Sequence, residues 1–300
     1  MDTPRPTSSG SIQPPAERVF PAALDPIVAP LGTFGHNVLL TLAALGRFTR
    51  FAGASISGAV HPRSWMRRGR LSSQLWFVGT TSAPVVAITG AFIGMILAIE
   101  GYYQFAAIGQ EGRLGGVINL SLAKQLGPVL AAVILAGRVG CALTAELGSM
   151  RVTEQLDAMR AMAADPVRVL AVPRFVSCVL MIPILTVISN LVGMLGGWLV
   201  TTKFYGADPG QYWRYTELFV GWYDIANGLI KSVFFGAAIG LISCYKGFNC
   251  KPGAEGVGRA TTDSFVTSFM AIIMLNLFLA KLLTDFEILI RGGKMSSIFG

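Results

Sequence analysis

The chain has 300 residues, of which 53% are hydrophobic and only 13% are charged. Soluble globular domains carry about 25% charged residues, so this composition excludes that class and indicates an integral membrane protein. The net charge of +8 does not indicate a nucleic-acid partner, because Lys and Arg are spread over the short connections between apolar segments.

The N-terminal segment differs from the rest of the chain. Residues 1–30 are rich in proline and poor in large apolar side chains, which predicts a disordered tail without the apolar core of a cleaved secretory signal. Residues 31–51 place apolar side chains three or four positions apart, which favours a helix on the membrane surface, with a basic linker continuing to residue 70. A sixth spanning helix is the alternative interpretation of this segment.

Five apolar segments follow, each long enough to cross about 30 Å of hydrocarbon as a helix. Spans are predicted over residues 75–99, 120–145, 175–202, 225–245 and 264–283. We expect one membrane domain over residues 71–290 and a short tail over 291–300, because the chain has no tandem repeat. Lys and Arg favour the connections after the second and fourth spans, which predicts a cytoplasmic N-terminus and an outer C-terminus. The predicted fold class is all-α.

The connection after the second span is too polar to cross the membrane, yet it is periodic. Apolar residues recur at helical spacing, which predicts an amphipathic helix over residues 149–164. On its charged side, Asp157 is close enough to Arg160 to pair. This side is a candidate contact for a cytoplasmic partner, and the alternative is an interfacial helix packed on its own bundle. The candidate partner-contact residues are Met150, Arg151, Glu154, Asp157 and Arg160.

Placing an ionisable residue inside a membrane span costs free energy, so such residues are functional candidates. Glu100 and Lys124 are both expected near the outer leaflet, at a lipid cavity or its mouth, where a lysine can bind a phosphate. The alternative for both is contact with interfacial water. Arg138 is expected either at this cavity or as a structural partner of a helix terminus or of Glu146. Lys231 either has a function or extends its ammonium group to the interface.

Aromatic residues on the predicted outer side are a further candidate group. Tyr103 is the candidate substrate contact among them, although an aromatic belt at the membrane interface is the alternative for the whole group. The group consists of Tyr102, Tyr103, Tyr212, Trp213 and Trp222.

Catalytic and metal-binding motifs are absent from the sequence. The one Gly-Lys pair, Gly293-Lys294, is followed by Met295, so the chain has no P-loop and nucleotide must bind elsewhere. Neither H-E-x-x-H nor G-x-S-x-G occurs, which disfavours a metalloenzyme or a hydrolase. The four cysteines lie in or beside apolar segments without the partners of a metal site.

Several motifs nevertheless follow one another in a recognisable order. They are Gly90-Ala-Phe-Ile-Gly-Met, Leu126-Gly-Pro-Val-Leu, Ala136-Gly-Arg-Val-Gly, Thr144-Ala-Glu-Leu-Gly-Ser-Met-Arg-Val-Thr-Glu-Gln-Leu-Asp, Asp165-Pro166 and Pro173-Arg-Phe. On these motifs the sequence resembles the MlaE/YrbE permease family, from about Phe77 to Phe286. The chain departs from many relatives at Lys124-Gln125, where they have a basic-acidic pair, so no carboxylate role is expected at Gln125.

The resemblance implies a homodimeric permease of the bacterial inner membrane, with an interfacial helix and five spans in each subunit. It implies lipids, chiefly phospholipids, as substrates, and an MCE-domain lipid-binding protein outside the membrane as a partner. It also implies a cytoplasmic P-loop ATPase that binds ATP and Mg²⁺, and often a STAS-domain subunit, so this chain is expected not to be an enzyme. The helix with Glu154 and Asp157 then becomes the coupling helix for that ATPase.

Two other functions are consistent with a helical membrane protein. An ion-coupled secondary transporter would place paired acidic residues deep inside the spans, and Glu100 lies near a span end instead. A non-transporting scaffold would use the cytoplasmic helix only to recruit partners.

Overall fold

Helices account for almost all of the described chain, as its hydropathy predicts. The computed structural model describes residues 25–60 and 70–290, and in these ranges it contains helices and short connections but no β-strand. The all-α fold class is therefore confirmed. Most of the predicted N-terminal tail, the end of the basic linker (61–69) and the C-terminal tail lie outside the described residues.

Eleven α-helices, numbered in chain order, are described. They are α1 (Asp25–Val60), α2 (Arg70–Gly79), α3 (Ala83–Ala106), α4 (Leu114–Ser121), α5 (Gly127–Leu135), α6 (Cys141–Val152), α7 (Gln155–Ala161), α8 (Val172–Leu199), α9 (Pro209–Phe219), α10 (Trp222–Phe248) and α11 (Ala254–Ile290).

Five stretches built from these helices are long and apolar enough to cross a membrane. Each contains one predicted span and extends beyond it at both ends, because helical hydrogen bonding continues into polar flanks that hydropathy does not mark. They are Leu71–Ala106, Glu111–Val152, Val167–Phe204, Trp222–Phe248 and Ala254–Leu289.

Helix α1 is not among these five stretches, so the alternative of a sixth span over residues 31–51 finds no support in the described part of the chain. The helix begins at Asp25, earlier than the predicted residue 31, and it continues to Val60. Its last part, from Phe51, packs on α10, where the Phe51 ring centroid lies 5.6 Å from that of Tyr245 and 5.7 Å from that of Phe248. Its placement along the membrane surface stays a prediction.

Helices α3 and α8 pack closely through small residues. A Cβ atom on Gly94 would lie 1.9 Å from the carbonyl oxygen of Gly193, and one on Gly90 would lie 2.4 Å from that of Ser189. Any larger residue at these positions would push the backbones apart. Close approach gives dispersion contacts between the two helices. Such contacts stabilise the association of spanning helices in lipid, where the hydrophobic effect does not act between them.

Two of the spans are interrupted by π-helical turns, in which one extra residue widens the helix. In the second span, Leu122–Leu126 separates α4 from α5, and Ala136–Gly140 separates α5 from α6. In the third span, Val167–Ala171 precedes α8 and Val200–Phe204 follows it. Lys124 and Arg138 each lie in one of these turns, so the local backbone is irregular at two candidate residues.

Helix α9 lies between the third and fourth spans and begins with a capping residue. The Asp208 carboxylate accepts hydrogen bonds from the backbone N–H groups of Gly210 and Gln211, both at 3.2 Å. Tyr212, in the first turn of α9, is buried, and its hydroxyl donates to Oδ1 of Asn119 at 3.2 Å. Burial raises the pKa of Tyr212 to about 12. This contact attaches α9 to α4.

Candidate functional site

The predicted amphipathic helix over residues 149–164 is not one helix. Helix α6 ends at Val152, and the hydroxyl of Thr153 donates to the carbonyl of Ser149 at 2.9 Å. Glu154 then adopts φ 59°, and α7 begins only at Gln155. A left-handed conformation costs a non-glycine residue about 1 kcal/mol and turns the chain, which is why the continuous helix was wrong. We call residues 153–163 the coupling segment.

Leu156 attaches the coupling segment to the bundle. Its side chain is fully buried and belongs to a hydrophobic cluster with Leu147 of α6 and with Cys244 and Phe248 of α10. Met150 packs against the same cluster, so this predicted partner-contact residue faces the bundle in part. A displacement of α7 would therefore act on α6 and α10 together.

The opposite side of the coupling segment is charged and exposed. Asp157 Oδ1 accepts a hydrogen bond from Arg160 Nη1 at 2.7 Å, and Arg151 Nη1 lies 3.8 Å from the same oxygen. Glu154, Asp157 and Arg160 are all exposed. The structure therefore brings Arg151, Asp157 and Arg160 together, and Glu154 is exposed three residues before Asp157.

An ion pair joins the two spans that flank the coupling segment. Arg174 Nη2 of α8 lies 2.7 Å from Glu146 Oε1 of α6, and the Arg174 side chain is only 4% exposed. The structural pair that the sequence suggested for Arg138 is therefore wrong, because Glu146 pairs with Arg174 instead. Arg138 is exposed on the π-helical turn Ala136–Gly140.

Lys124 lies at the centre of a charged cluster towards the opposite end of the spans. Its Nζ atom is 3.0 Å from Asp224 Oδ1 and 3.1 Å from Glu287 Oε2. The side chains are 29%, 9% and 13% exposed, respectively, so Lys124 is the most accessible member. Ion pairs are strong where water is scarce, and this one joins the second, fourth and fifth spans.

Lys231 of α10 extends the cluster into the bundle. Of the two alternatives for Lys231, the extension of its ammonium group to the interface is wrong. The residue is buried, and Nζ donates to Gln125 Oε1 at 2.5 Å and to the Lys124 carbonyl at 3.1 Å. That carbonyl is available because Pro128, four residues later, has no N–H to donate to it. We call Lys124, Gln125, Asp224, Lys231 and Glu287 the charged cluster.

Asp224 and Glu287 are members that the sequence reasoning missed. Each lies just outside a predicted span, at the start of α10 and near the end of α11, so neither counted as an intramembrane charge. The signal that could have found them is the need of Lys124 for a counter-charge at the same depth. No group of three His, Cys, Asp or Glu residues that could hold a metal ion occurs in 25–60 or 70–290.

Glu100 and Tyr103 lie in a different place from the charged cluster. The Tyr102 and Tyr205 rings stack with centroids 4.0 Å apart, and Tyr103 meets Tyr205 edge-on at 5.8 Å. Burial and the Tyr103 hydroxyl raise the pKa of Tyr205, and Glu100 acts in the same direction, so Glu100 is close to this aromatic group. The structure therefore does not bring Glu100 together with Lys124, whose counter-charges are Asp224 and Glu287.

Comparisons with known proteins identify a family that the chain matches over most of its length. The family model described as Permease MlaE matches residues 71–282. The chain is 37% identical over 260 residues to the intermembrane phospholipid transport system permease protein MlaE of Haemophilus influenzae, covering 86% of this chain and 98% of that one. It is 43% identical over 217 residues to a probable ABC transporter permease protein of Synechocystis, covering 72% and 82%.

Similarity extends to a plastid protein. The chain is 34% identical over 226 residues to the chloroplastic protein TRIGALACTOSYLDIACYLGLYCEROL 1 of Arabidopsis thaliana, covering 75% of this chain and 63% of that one.

Proposed function

The chain belongs to the MlaE permease family, and we propose that it is the membrane subunit of an ABC-type lipid transporter whose ATPase is a separate polypeptide. Phospholipid is the proposed substrate, because a relative covered almost end to end is named for phospholipid transport. The observation that carries the ATP coupling is the coupling segment, which presents charges outward and buries Leu156 in the bundle.

We propose that the ATPase binds Glu154, Asp157 and Arg160, with Arg151 at the edge of the contact. ATP and Mg²⁺ bind in that partner, so this chain supplies the membrane path and is not itself the enzyme. Movement of the ATPase displaces α7, and Leu156 transmits the displacement to Leu147 of α6 and Phe248 of α10.

Helix α10 links the two candidate sites. It runs without interruption from Trp222 to Phe248, with Asp224 and Lys231 near one end and Phe248 in the Leu156 cluster at the other. At about 1.5 Å per residue, the helix carries a displacement over roughly 35 Å. Transport then requires two arrangements of the bundle, whose balance the nucleotide shifts.

At the charged cluster we propose that Lys124 contacts the lipid phosphate. It is more exposed than Asp224 and Glu287, and a phosphate can replace either of them as its anionic partner. Glu100 and Tyr103, which are both exposed beside the aromatic group, are proposed to line the outer mouth of the lipid path. Arg138 is exposed at an intermediate depth and is proposed to contact the lipid there.

The assembly we propose has two copies of the permease in the bacterial inner membrane. The N-terminus and the coupling segment face the cytoplasm, and the C-terminus faces the periplasm. An MCE-domain protein receives or delivers the lipid on the outer side, and a STAS-domain subunit accompanies the ATPase.

A second candidate is an ion-coupled transporter that works without ATP. It is favoured by one observation, the convergence of two shielded carboxylates, Asp224 and Glu287, on Lys124. Such a site resembles the ionisable groups that transporters use to couple ions.

The test of the proposed function is the variant Glu154→Ala/Asp157→Ala. We expect it to fold and insert normally but to lose the ATPase during purification, together with ATP-dependent lipid transfer. The control Glu217→Ala/Asp285→Ala removes two exposed carboxylates outside the coupling segment and should retain both. Unchanged ATPase binding and transfer in the Glu154/Asp157 variant would exclude this role of the coupling segment.

A further inference from the structure

A basic cavity lies where α10 ends and α11 begins, apart from the charged cluster and not lined by the coupling segment. Its volume is about 660 Å³, within the range of about 300–1,000 Å³ that is typical of small-molecule sites. Residues from both helices and from the connection between them line it. The polar lining residues that matter here are Lys246, Asn249, Lys251, Arg259, Thr262 and Asp263. We call this the α10–α11 cavity.

The cavity has an excess of positive charge. Three of its lining residues are cationic, and Asp263 is its one lining carboxylate. Asp263 Oδ2 lies 3.9 Å from Lys246 Nζ, an ion pair that is too long for a hydrogen bond, so this one carboxylate faces three cations in the lining. Lys251 makes no ion pair with any described residue, and Arg259 pairs with Glu255 on the exposed surface. An anionic group is therefore the expected ligand.

The surface beside the cavity indicates which anion it binds. From Thr262 in the cavity, one exposed side of α11 continues through Val266, Met270 and Ile273, at spacings of three or four residues. These three apolar side chains are 52%, 54% and 46% exposed and lie within a membrane-spanning stretch. We call Val266, Met270 and Ile273 the apolar track. The phosphate of a lipid can bind in the cavity while its acyl chains contact this track. A free phosphate or a nucleotide has no acyl chain to contact it.

We propose that the α10–α11 cavity binds the phosphate of an anionic phospholipid, with Lys246 and Lys251 as its principal ligands. Basic pockets between spanning helices on the cytoplasmic side are suited to anionic headgroups. Assignment to the cytoplasmic leaflet rests on the orientation in the proposed function, whereas the choice of ligand rests on the cavity and the apolar track beside it. The lipid would fix the start of α11 against the end of α10, close to the Leu156 cluster.

The test measures lipid binding by native mass spectrometry of the detergent-purified full-length permease. Wild type is compared with Lys246→Gln/Lys251→Gln and with the control Lys203→Gln/Lys281→Gln, which removes the same charge at exposed sites outside the cavity. The probes are dioleoylphosphatidylglycerol, dioleoylphosphatidylcholine and inorganic phosphate. Thermal unfolding checks that each variant is folded.

Wild type and the control should prefer phosphatidylglycerol to phosphatidylcholine, and the cavity variant should bind phosphatidylglycerol roughly 25-fold more weakly. This estimate takes about fivefold for each cation, the equivalent of about 1 kcal/mol at a membrane surface. If the double variant is unstable, Lys251→Gln alone changes an exposed side chain and should weaken binding about fivefold.

If the cavity variant and the control variant bind phosphatidylglycerol equally, the α10–α11 cavity is excluded as the binding site. Lysine-dependent binding of inorganic phosphate as tight as that of phosphatidylglycerol would overturn the lipid assignment. Neither result would bear on ATP-dependent transfer, so the cavity and the proposed function can fail separately.

Discussion

The ammonium group of Lys231 lies 2.5 Å from Oε1 of Gln125, inside the bundle and one residue along from Lys124. A neutral amide thus accepts a hydrogen bond from a buried cation at Gln125, the position where no carboxylate role was expected. The remaining acceptor of Lys231 is the Lys124 carbonyl, which Pro128 leaves without its usual helical donor.

Gln125→Ala should destabilise the permease by about 2 kcal/mol, because a buried ammonium group loses one of its two acceptors. Gln125→Glu should keep or increase stability, since a carboxylate replaces the amide as partner. Thermal unfolding in detergent measures both effects, with Gln104→Ala, an exposed glutamine of α3, as the control. An unfolding temperature of Gln125→Ala equal to that of the control would mean that this hydrogen bond is not formed.

The packing of α3 on α8 can be tested with a single methyl group. Gly94→Ala places Cβ against the Gly193 carbonyl. The helices must then move apart, which should lower the free energy of unfolding by about 2 kcal/mol. Gly258→Ala, in α11, is the matched control, because a Cβ there meets nothing within 4 Å. Alanine favours the helix more than glycine does, so Gly258→Ala should raise the free energy of unfolding by about 0.5–1 kcal/mol. Unfolding in detergent should separate the two variants, and equal effects would contradict the close α3–α8 contact.

Alkaline pH should loosen α9 through Tyr212. Burial raises the pKa of Tyr212 to about 12. A tyrosine in the unfolded chain titrates near 10, so the neutral phenol contributes stability below pH 10 that is lost as the pH rises through 12. Because Tyr212→Phe removes the hydrogen bond to Asn119, this variant should be less stable than wild type by about 1 kcal/mol at neutral pH.

The difference between wild type and Tyr212→Phe should therefore change with pH. From pH 9 to 12, wild type should lose up to about 2.7 kcal/mol more stability than Tyr212→Phe does. Tyr215→Phe, three residues along α9, is the control and should keep the steep alkaline loss. Parallel unfolding curves for wild type and Tyr212→Phe would show that Tyr212 does not titrate as a buried phenol.

Leu156→Ala should separate ATPase binding from the transmission of movement. The charged face stays intact, so the ATPase should still bind, but the packing of Leu156 in its hydrophobic cluster with Leu147 and Phe248 is lost. The ratio of lipid moved to ATP hydrolysed should fall at least about fivefold, since truncating a buried leucine removes about 2–5 kcal/mol of packing. Met162→Ala removes an exposed apolar side chain near α7 and should leave the ratio unchanged. An unchanged ratio in Leu156→Ala would exclude Leu156 as the transmitting residue.

The sequence predicted the spans well because hydropathy and helical hydrogen bonding are local properties. It failed at Glu154 because the apolar positions around it keep helical spacing, and no glycine marks the left-handed turn. The charged cluster was only partly predictable. Lys124 could be named as an intramembrane cation, and Pro128 was a local sign of a free carbonyl.

Long-range packing supplied the rest of the cluster. Asp224 and Glu287 reach Lys124 from helices about 100 or more residues further along the chain, at ends that hydropathy assigns to the flanks. Gly228 lets α10 approach the π-helical turn so closely that a Cβ there would lie 2.1 Å from the Ala123 carbonyl oxygen. Such an approach depends on the paired helix, so single-sequence reasoning could not derive it.

The most direct test of ATP-coupled lipid transport is lipid transfer by the permease reconstituted in liposomes with its proposed ATPase partner. Fluorescent phospholipid movement is followed with ATP, with a non-hydrolysable analogue, and with an imposed proton or sodium gradient in the absence of nucleotide. We expect transfer that requires both subunits and ATP hydrolysis and that the Glu154→Ala/Asp157→Ala variant abolishes. Transfer by the permease alone that follows the ion gradient and ignores ATP would contradict ATP-coupled transport.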